Sequence, residues 1–234
     1  RAENWVYPEY HYEKFRTGEQ RPDGGLGFNT PTGRVELYST LFGQWGQKPV
    51  PHYAEPPYSP NQVPDRFDQD EYLEKYPLIM TTGARQWASF HSEHRQIPHL
   101  RVLHPNPEFE LAPETAEKYG IKHGDWCWIE SHLGRIQLKA NVSPILDPST
   151  VALDHAWWFP ERDGEDSFDK DGKRLGSFGT YASNPNCIIE AGCGESGFGN
   201  NCKSQMCRIY KCEPDEIYAE TDMREIVEKF AADE

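Results

Sequence analysis

Six side chains able to hold a polar or anionic ligand crowd into fourteen positions: Thr82, Arg85, His91, Ser92, His94 and Arg95. They follow the short apolar run Leu78-Ile-Met80, which reads as a buried strand that delivers donors to its end. Gly83 sits at that end, where the absence of a side chain lets backbone approach a ligand. Loops at strand ends are frequent binding positions. Metal chemistry fits less well, because His91 and His94 have no third ligand at a suitable spacing. Arg85 and Arg95 as surface ion-pair partners, and His91 and His94 as structural hydrogen-bonders, remain open on these residues alone. His99 and His104 read as structural, and Trp157 and Trp158 as core or interface residues. No Ser-His-Asp or paired-carboxylate spacing singles out a catalytic group.

Five of the six cysteines, Cys187, Cys193, Cys202, Cys207 and Cys212, fall in the last quarter of the chain. They form no Cys-x-x-Cys pair, and their irregular intervals suit free or buried thiols better than a zinc site. Asp169-Lys-Asp-Gly172 resembles the start of a calcium loop but lacks the distal glutamate.

These groups must be positioned by a chain that is poor in apolar residues. Of 234 residues 36% are hydrophobic, and 19 Pro and 19 Gly point to many turns and extended stretches. Mean hydropathy is −0.83. With 24 Lys plus Arg against 38 Asp plus Glu, the net charge of −14 repels nucleic acid and anionic membrane surfaces at long range. No apolar run approaches the roughly 20 residues of a membrane span. The chain starts with Arg1 and not Met, the expected mark of a processed product or of a piece of a longer polypeptide.

Periodicity predicts a mainly β chain with short helices. Residues 34–38 alternate as a half-buried strand, with a short helix at 39–45. Pro49, Pro51, Pro56, Pro57, Pro60 and Pro64 enforce an extended connector over 47–70. Strands are expected at 108–111, 125–131, 135–142, 151–154 and 205–211, the second and third as a hairpin about His132-Leu-Gly134. Pro113 and Gly120 bracket a helix at 113–119. Residues 161–179 read as an exposed loop, and Thr221 as the cap of a terminal helix with Met223, Ile226, Val227 and Phe230 on one face.

Four blocks then carry a resemblance: Thr30-Pro-Thr-Gly-Arg-Val-Glu-Leu-Tyr-Ser39; Leu78 to Arg85 with Phe90-His-Ser-Glu-His-Arg-Gln96; Ala112-Pro-Glu-Thr-Ala116 through Gly120-Ile-Lys-His-Gly-Asp-Trp126; and Ser183-Asn-Pro-Asn186 with Lys203 to Lys211. Their order and spacing resemble the C-terminal, molybdopterin dinucleotide-binding region of the dimethyl sulfoxide reductase-type molybdenum and tungsten oxidoreductases. The resemblance implies a double-psi β-barrel over 71–212. An extended, Pro-rich segment at 1–70 would end a preceding catalytic domain, and 213–234 would form a helical tail. It implies bis-molybdopterin guanine dinucleotide (bis-MGD) with Mo or W, anaerobic metabolism, and a [4Fe-4S] cluster in another part of the enzyme.

By resemblance, Thr82, Gly83, Arg85, His91, Ser92 and Arg95 contact pterin or phosphate, where an arginine fork grips phosphate and stays charged when buried. Asn106 and Glu108 approach the guanine; Asn184, Asn186 and Lys203 reach the second pterin. The metal ligand and any catalytic residue would lie elsewhere. Phe90 to Gln96 and His155-Ala-Trp-Trp-Phe-Pro-Glu161 look most like the branch of formate dehydrogenase-like enzymes, acetylene hydratase and aromatic transhydroxylases or dehydroxylases. Implied partners are the rest of the catalytic polypeptide or a separate catalytic subunit, and an electron-transfer subunit, in prokaryotic cytoplasm or periplasm. The competing reading is a non-catalytic stand-alone barrel that carries a cofactor or binds a partner.

Overall fold

The computed structural model describes residues 11–84, 86–162, 164–191 and 205–231. The chain divides between Ala54 and Glu55 into two compact units. The first carries two short helices, α1 (Lys14–Thr17) and α2 (Thr40–Gln44), the second capped by the Ser39 side chain accepting from the Phe42 amide. Residues 34–38 are not a strand. Val35 and Leu37 are 67% and 85% exposed, and no strand among the described residues offers their backbone a ladder. Local bonds prevail instead: the Glu36 carboxylate accepts from the Thr32 amide and from the Thr32 and Thr40 hydroxyls.

The second unit runs α3 (Gln69–Lys75), β1 (Leu78–Ala84), α4 (Pro98–Arg101), β2 (Glu108–Leu111), α5 (Pro113–Tyr119), β3 (Trp126–Ser131), β4 (Gly134–Val142), β5 (Thr150–Asp154), β6 (Asp166–Phe168), β7 (Arg174–Ser177), α6 (Thr180–Ser183), β8 (Gln205–Lys211) and α7 (Met223–Ala231). Six strands close into a barrel in the order β1-β5-β2-β4-β3-β8. It is the mainly β, barrel-centred chain with short helices that the motifs imply. β1 lies parallel to β5 and antiparallel to β8; β2 lies parallel to β4 and antiparallel to β5. The β3–β4 hairpin turns through His132 and Leu133, with Ser131 opposite Gly134.

Alternation fills the interior. Leu78, Met80, Phe109, Leu111, Cys127, Ile129, Ile136, Leu138, Val151, Leu153, Cys207 and Ile209 form one buried cluster. The outer face of β3 is also covered, and Trp126 and Trp128 join Trp157, Phe159 and Leu175 in a second cluster. Gln137 breaks the expected inside/outside rule on β4. It is fully buried because its amide donates to the Glu216 carbonyl (2.7 Å) and accepts from the Tyr218 and Ala219 amides, stitching the C-terminal segment onto the wall.

Three further expectations change. Within 161–179, β6 and β7 pair as a hairpin whose turn is held by Asp169 Oδ1 accepting from the Asp171 and Lys173 amides. The terminal helix starts after Asp222, which accepts from the Arg224 amide, while the Thr221 hydroxyl donates to Glu161. On that helix Ile226 is buried and Val227 is 49% exposed. Cys127, Cys187, Cys207 and Cys212 are free thiols, and burial pushes all four pKa values up. Cys193 and Cys202 lie outside the described residues.

The residues leading into the barrel are clasped to its β3–β4 turn. The Tyr58 hydroxyl donates to Glu190, and Arg66 Nη2 donates to both Glu190 (2.6 Å) and the Tyr58 oxygen (2.6 Å). His132 stacks on Tyr58, meets the Tyr72 hydroxyl at 2.9 Å and approaches Glu190 at 3.3 Å. Burial holds the His132 pKa below its ordinary 6.5, against the pull of Glu190. The hydrogen bond from Arg66 leads in holding Glu190 below 4.5.

Both groups bind protons more readily in the unfolded chain, so stability rises with pH through each window. The His132 contribution is complete above pH 6.5 and is lost as pH falls toward its folded value; that of Glu190 is lost below pH 4.5. The melting temperature is therefore expected to fall between about pH 7.5 and pH 5.5, and His132→Phe, which keeps a stacking ring, should flatten that fall. Parallel pH titrations of the melting temperature that superimpose for both proteins would contradict the assignment.

Candidate functional site

β1 and β5 run side by side in the same direction, so the segments that leave them, 86–107 and 155–165, emerge at one end of the barrel. The register shifts between Thr82 and Ala84, placing Gly83 at a bulge beside the end of β5. Thr82 is buried there. Arg85 lies outside the described residues.

Asp154, the last residue of β5 and 2% exposed, organises this end. It accepts from Gln86 Nε2 (2.6 Å), from His104 Nε2 (2.5 Å) and from the Glu108 amide (2.7 Å). One carboxylate thus holds the segment leaving β1, the segment after α4 and the start of β2. Sequence reading ended a strand at Asp154 and went no further. Its signal was a lone carboxylate closing the apolar run Val151-Ala-Leu153.

In residues 90–95 a tight turn donates the Glu93 amide to the Phe90 carbonyl (2.8 Å), and His91 and His94 take left-handed φ values of 52° and 75°. Such backbone in non-glycine residues is costly and clusters at ligand sites. The exposed His91 ring packs edge-on against Phe90 and His155. The Ser92 carbonyl accepts from Trp158 Nε1 at 2.6 Å, tying this turn to the segment after β5.

Arg95 is engaged by the protein's own main chain. Its guanidinium is 3% exposed, donates to the His155 (2.7 Å) and Ala156 (3.1 Å) carbonyls, and lies 4.5 Å from the Trp157 ring centre. Burial lowers its pKa to about 10. Arg101 lies 4.6 Å from the same ring and pairs with Glu161 at 2.9 Å. Trp157 is therefore a buried core residue contacted by two guanidiniums, and Arg95 serves the protein's own main chain.

Asn184 caps the 3-10 turn Pro185–Cys187 by accepting from the Asn186 amide (3.0 Å), and Ser183 anchors the turn to β4 through the Gln137 carbonyl (2.8 Å). The turn thereby helps to line a cleft of about 340 Å³ formed by Ser92, Ala156, Trp158, Phe178, Thr180, Asn184 and Asn186. Trp158 and Phe178 meet edge-on as its aromatic wall. Three expected site residues, Ser92, Asn184 and Asn186, are thus brought together from stretches about 90 positions apart.

Asn106 and Glu108 do not line this cleft. They sit beyond Asp154 at the start of β2, with Asn106 Oδ1 buried and unpartnered among the described residues. Glu108 accepts from Asn141 Nδ2 at 3.2 Å, and burial raises its pKa. Lys203 lies outside the described residues.

The donor set suits a polar, planar heterocycle. Hydroxyl and amide groups face an aromatic wall, and no carboxylate lines the cleft among the described residues. The orphaned Asn106 acceptor matches a second ring that presents N–H donors.

Residues 78–204 match the family model described as "Molydopterin dinucleotide binding domain". A dopamine dehydroxylase of Eggerthella lenta is 38% identical over 154 residues, covering 63% of this chain and 14% of that protein. An acetylene hydratase of Syntrophotalea acetylenica is 31% identical over 188 residues, covering 80% of this chain and 24% of its own length. The solved acetylene hydratase from Pelobacter acetylenicus superimposes with a TM-score of 0.68 at 28% identity, covering 82% of this chain and 25% of that one. The chain therefore spans a quarter or less of the length of each of these proteins.

Proposed function

Since the chain belongs to the molybdopterin dinucleotide binding domain family, we propose that it is the C-terminal cofactor-binding part of a bis-MGD molybdenum or tungsten enzyme of the dimethyl sulfoxide reductase type. The observation that carries this reading is the convergence of Ser92, Asn184 and Asn186 on one cleft. In this reading the two asparagines and the Ser92 and Thr180 hydroxyls hold one pterin edge, Trp158 and Phe178 form its wall, and the bulge at Gly83 admits phosphate close to backbone. Asn106 and Glu108 take the guanine. Arg95 and Asp154 are positioning residues that hold the 90–95 turn and the start of β2.

Bound cofactor supplies two-electron redox chemistry at its metal. The chain contributes orientation, shielding from water and hydrogen bonds to the pterin, which tune a metal from outside its ligands. Metal ligand, [4Fe-4S] cluster and an electron-transfer partner belong to other parts of the assembly. Similarity to a dopamine dehydroxylase and to acetylene hydratases supports the branch of hydratases and aromatic dehydroxylases.

The test is cofactor retention by the native assembly. Asn184→Ala with Asn186→Ala is expected to lower retained pterin and metal about tenfold, the loss of two modest hydrogen bonds, with the melting temperature of the apoprotein lowered only by the loss of the Asn184 cap. Full retention in that variant would remove the cleft from the cofactor site.

A further inference from the structure

At the other end of the barrel, where β1 begins, a second cleft of about 440 Å³ opens between the C-terminus of α3, the β3–β4 turn and β8. Four cations line it, Lys75, Arg135, Lys173 and Arg208, against one carboxylate, Glu130. This is an inversion of sign on a chain of net charge −14.

The two arginines are held in place before any ligand arrives. Arg208 Nη2 bonds both Glu130 oxygens at 2.7 and 2.9 Å. Arg135 stacks 3.9 Å from the Trp128 ring centre and donates to the Tyr210 hydroxyl at 3.0 Å, which in turn donates to Glu130 at 2.7 Å. Ordered guanidiniums lose little entropy on engaging an oxyanion.

The lysines are the unspent charge. Lys75 and Lys173 are both exposed, and neither makes an ion pair among the described residues. They reach the cleft from α3 and from the β6–β7 turn, so the positive groups approach from several elements. The half-exposed Leu133 is the apolar side chain of the lining, while Tyr76 is buried. Tyr210, the partly exposed aromatic of the lining, has its hydroxyl held between Arg135 and Glu130.

We propose that this cleft is a binding site for a compact polyvalent anion of the phosphoryl class, with Arg135 and Arg208 as fixed forks and Lys75 and Lys173 closing on the ligand. Its residues are separate from those of the cofactor cleft, and the proposal stands whether or not the cofactor reading does. A polyvalent anion matches the excess of positive charge, and a groove of one sign on an oppositely charged surface focuses such a ligand.

Pyrophosphate titrated calorimetrically into the 234-residue chain at low ionic strength is the probe. One site is expected, weakening as salt is raised. Lys75→Ala with Lys173→Ala should cost about tenfold or more in affinity while leaving the melting temperature unchanged, because both side chains are solvated. Asn184→Ala with Asn186→Ala, in the cofactor cleft, should leave that affinity as it was. Absence of binding, or equal binding by the lysine variant, overturns the site. Binding lost only in the asparagine variant assigns the anion to the cofactor cleft and overturns it equally. Citrate that binds as tightly as pyrophosphate overturns the phosphoryl preference.

Discussion

Asp154→Ala is expected to lower the unfolding free energy by about 3–5 kcal/mol, the range for removing one partner of a buried polar network. The carboxylate accepts three hydrogen bonds, and each donor left behind, Gln86 Nε2, His104 Nε2 and the Glu108 amide, would be buried or half-buried without its acceptor. Asp154→Asn keeps the shape and one good acceptor but turns an amide toward a donor, so roughly half that loss is expected. Urea denaturation measures both. Hydrogen exchange at the Glu108 amide gives a local readout: its protection should fall further than that of β3 and β4 amides, which do not contact Asp154. An alanine variant within about 1 kcal/mol of the parent would mean that the three donors find other partners. Because the same carboxylate fixes Gln86 beside the cleft end of β1, cofactor retention should drop together with stability.

The second large effect concerns Trp157. Trp157→Ala should cost about 3–5 kcal/mol through lost burial and the cavity left behind. The ring is fully buried, and Arg95 and Arg101 both lie against it, at 4.5 and 4.6 Å. Their remaining partners are main-chain carbonyls for one and Glu161 for the other. Trp157→Phe should be far milder, about 1–2 kcal/mol, since it retains a ring face for the cations. It also removes an indole N–H that has no hydrogen-bond partner among the described residues, so no polar debt is created. Chemical denaturation of the pair tests this: equal losses for alanine and phenylalanine would show that volume alone, and not the aromatic face, matters.

The strands at 78–84 and 150–154 were legible as short apolar runs and that at 134–142 as an alternation, each bounded by turn residues. Helix α5 was legible for a different reason, proline at its first position and Gly120 in the left-handed conformation just past its end. Local chemistry suffices for both. Residues 34–38 carry the same alternation and form no strand, because a strand is completed by its neighbour and the pattern does not say whether one exists.

Gln137 fails the pattern from the other side. Its amide is buried by a segment some eighty residues away, which no window on β4 contains. Ser92, Asn184 and Asn186 were reached through motif resemblance and meet in one cleft. Arg95 stands out by motif resemblance and by its charge, while the pair of carbonyls it meets at 155 and 156 is a tertiary fact that no local pattern carries. Asp154 escaped because a carboxylate at a strand end is ordinary until its three donors are seen together.

The place of β8 in the barrel order has a bearing on how the chain is made. It is the strand that pairs with both β1 and β3, across separations of more than 120 and about 80 residues respectively. During synthesis from the N-terminus, the other five barrel strands and every residue lining the candidate cleft emerge from the ribosome before the strand that closes the ring. For that interval β1 and β3 each present an open edge, the kind of surface that recruits other chains. The candidate cleft sits on segments outside the apolar barrel interior, so β8 bears on it by completing the wall from which those segments spring.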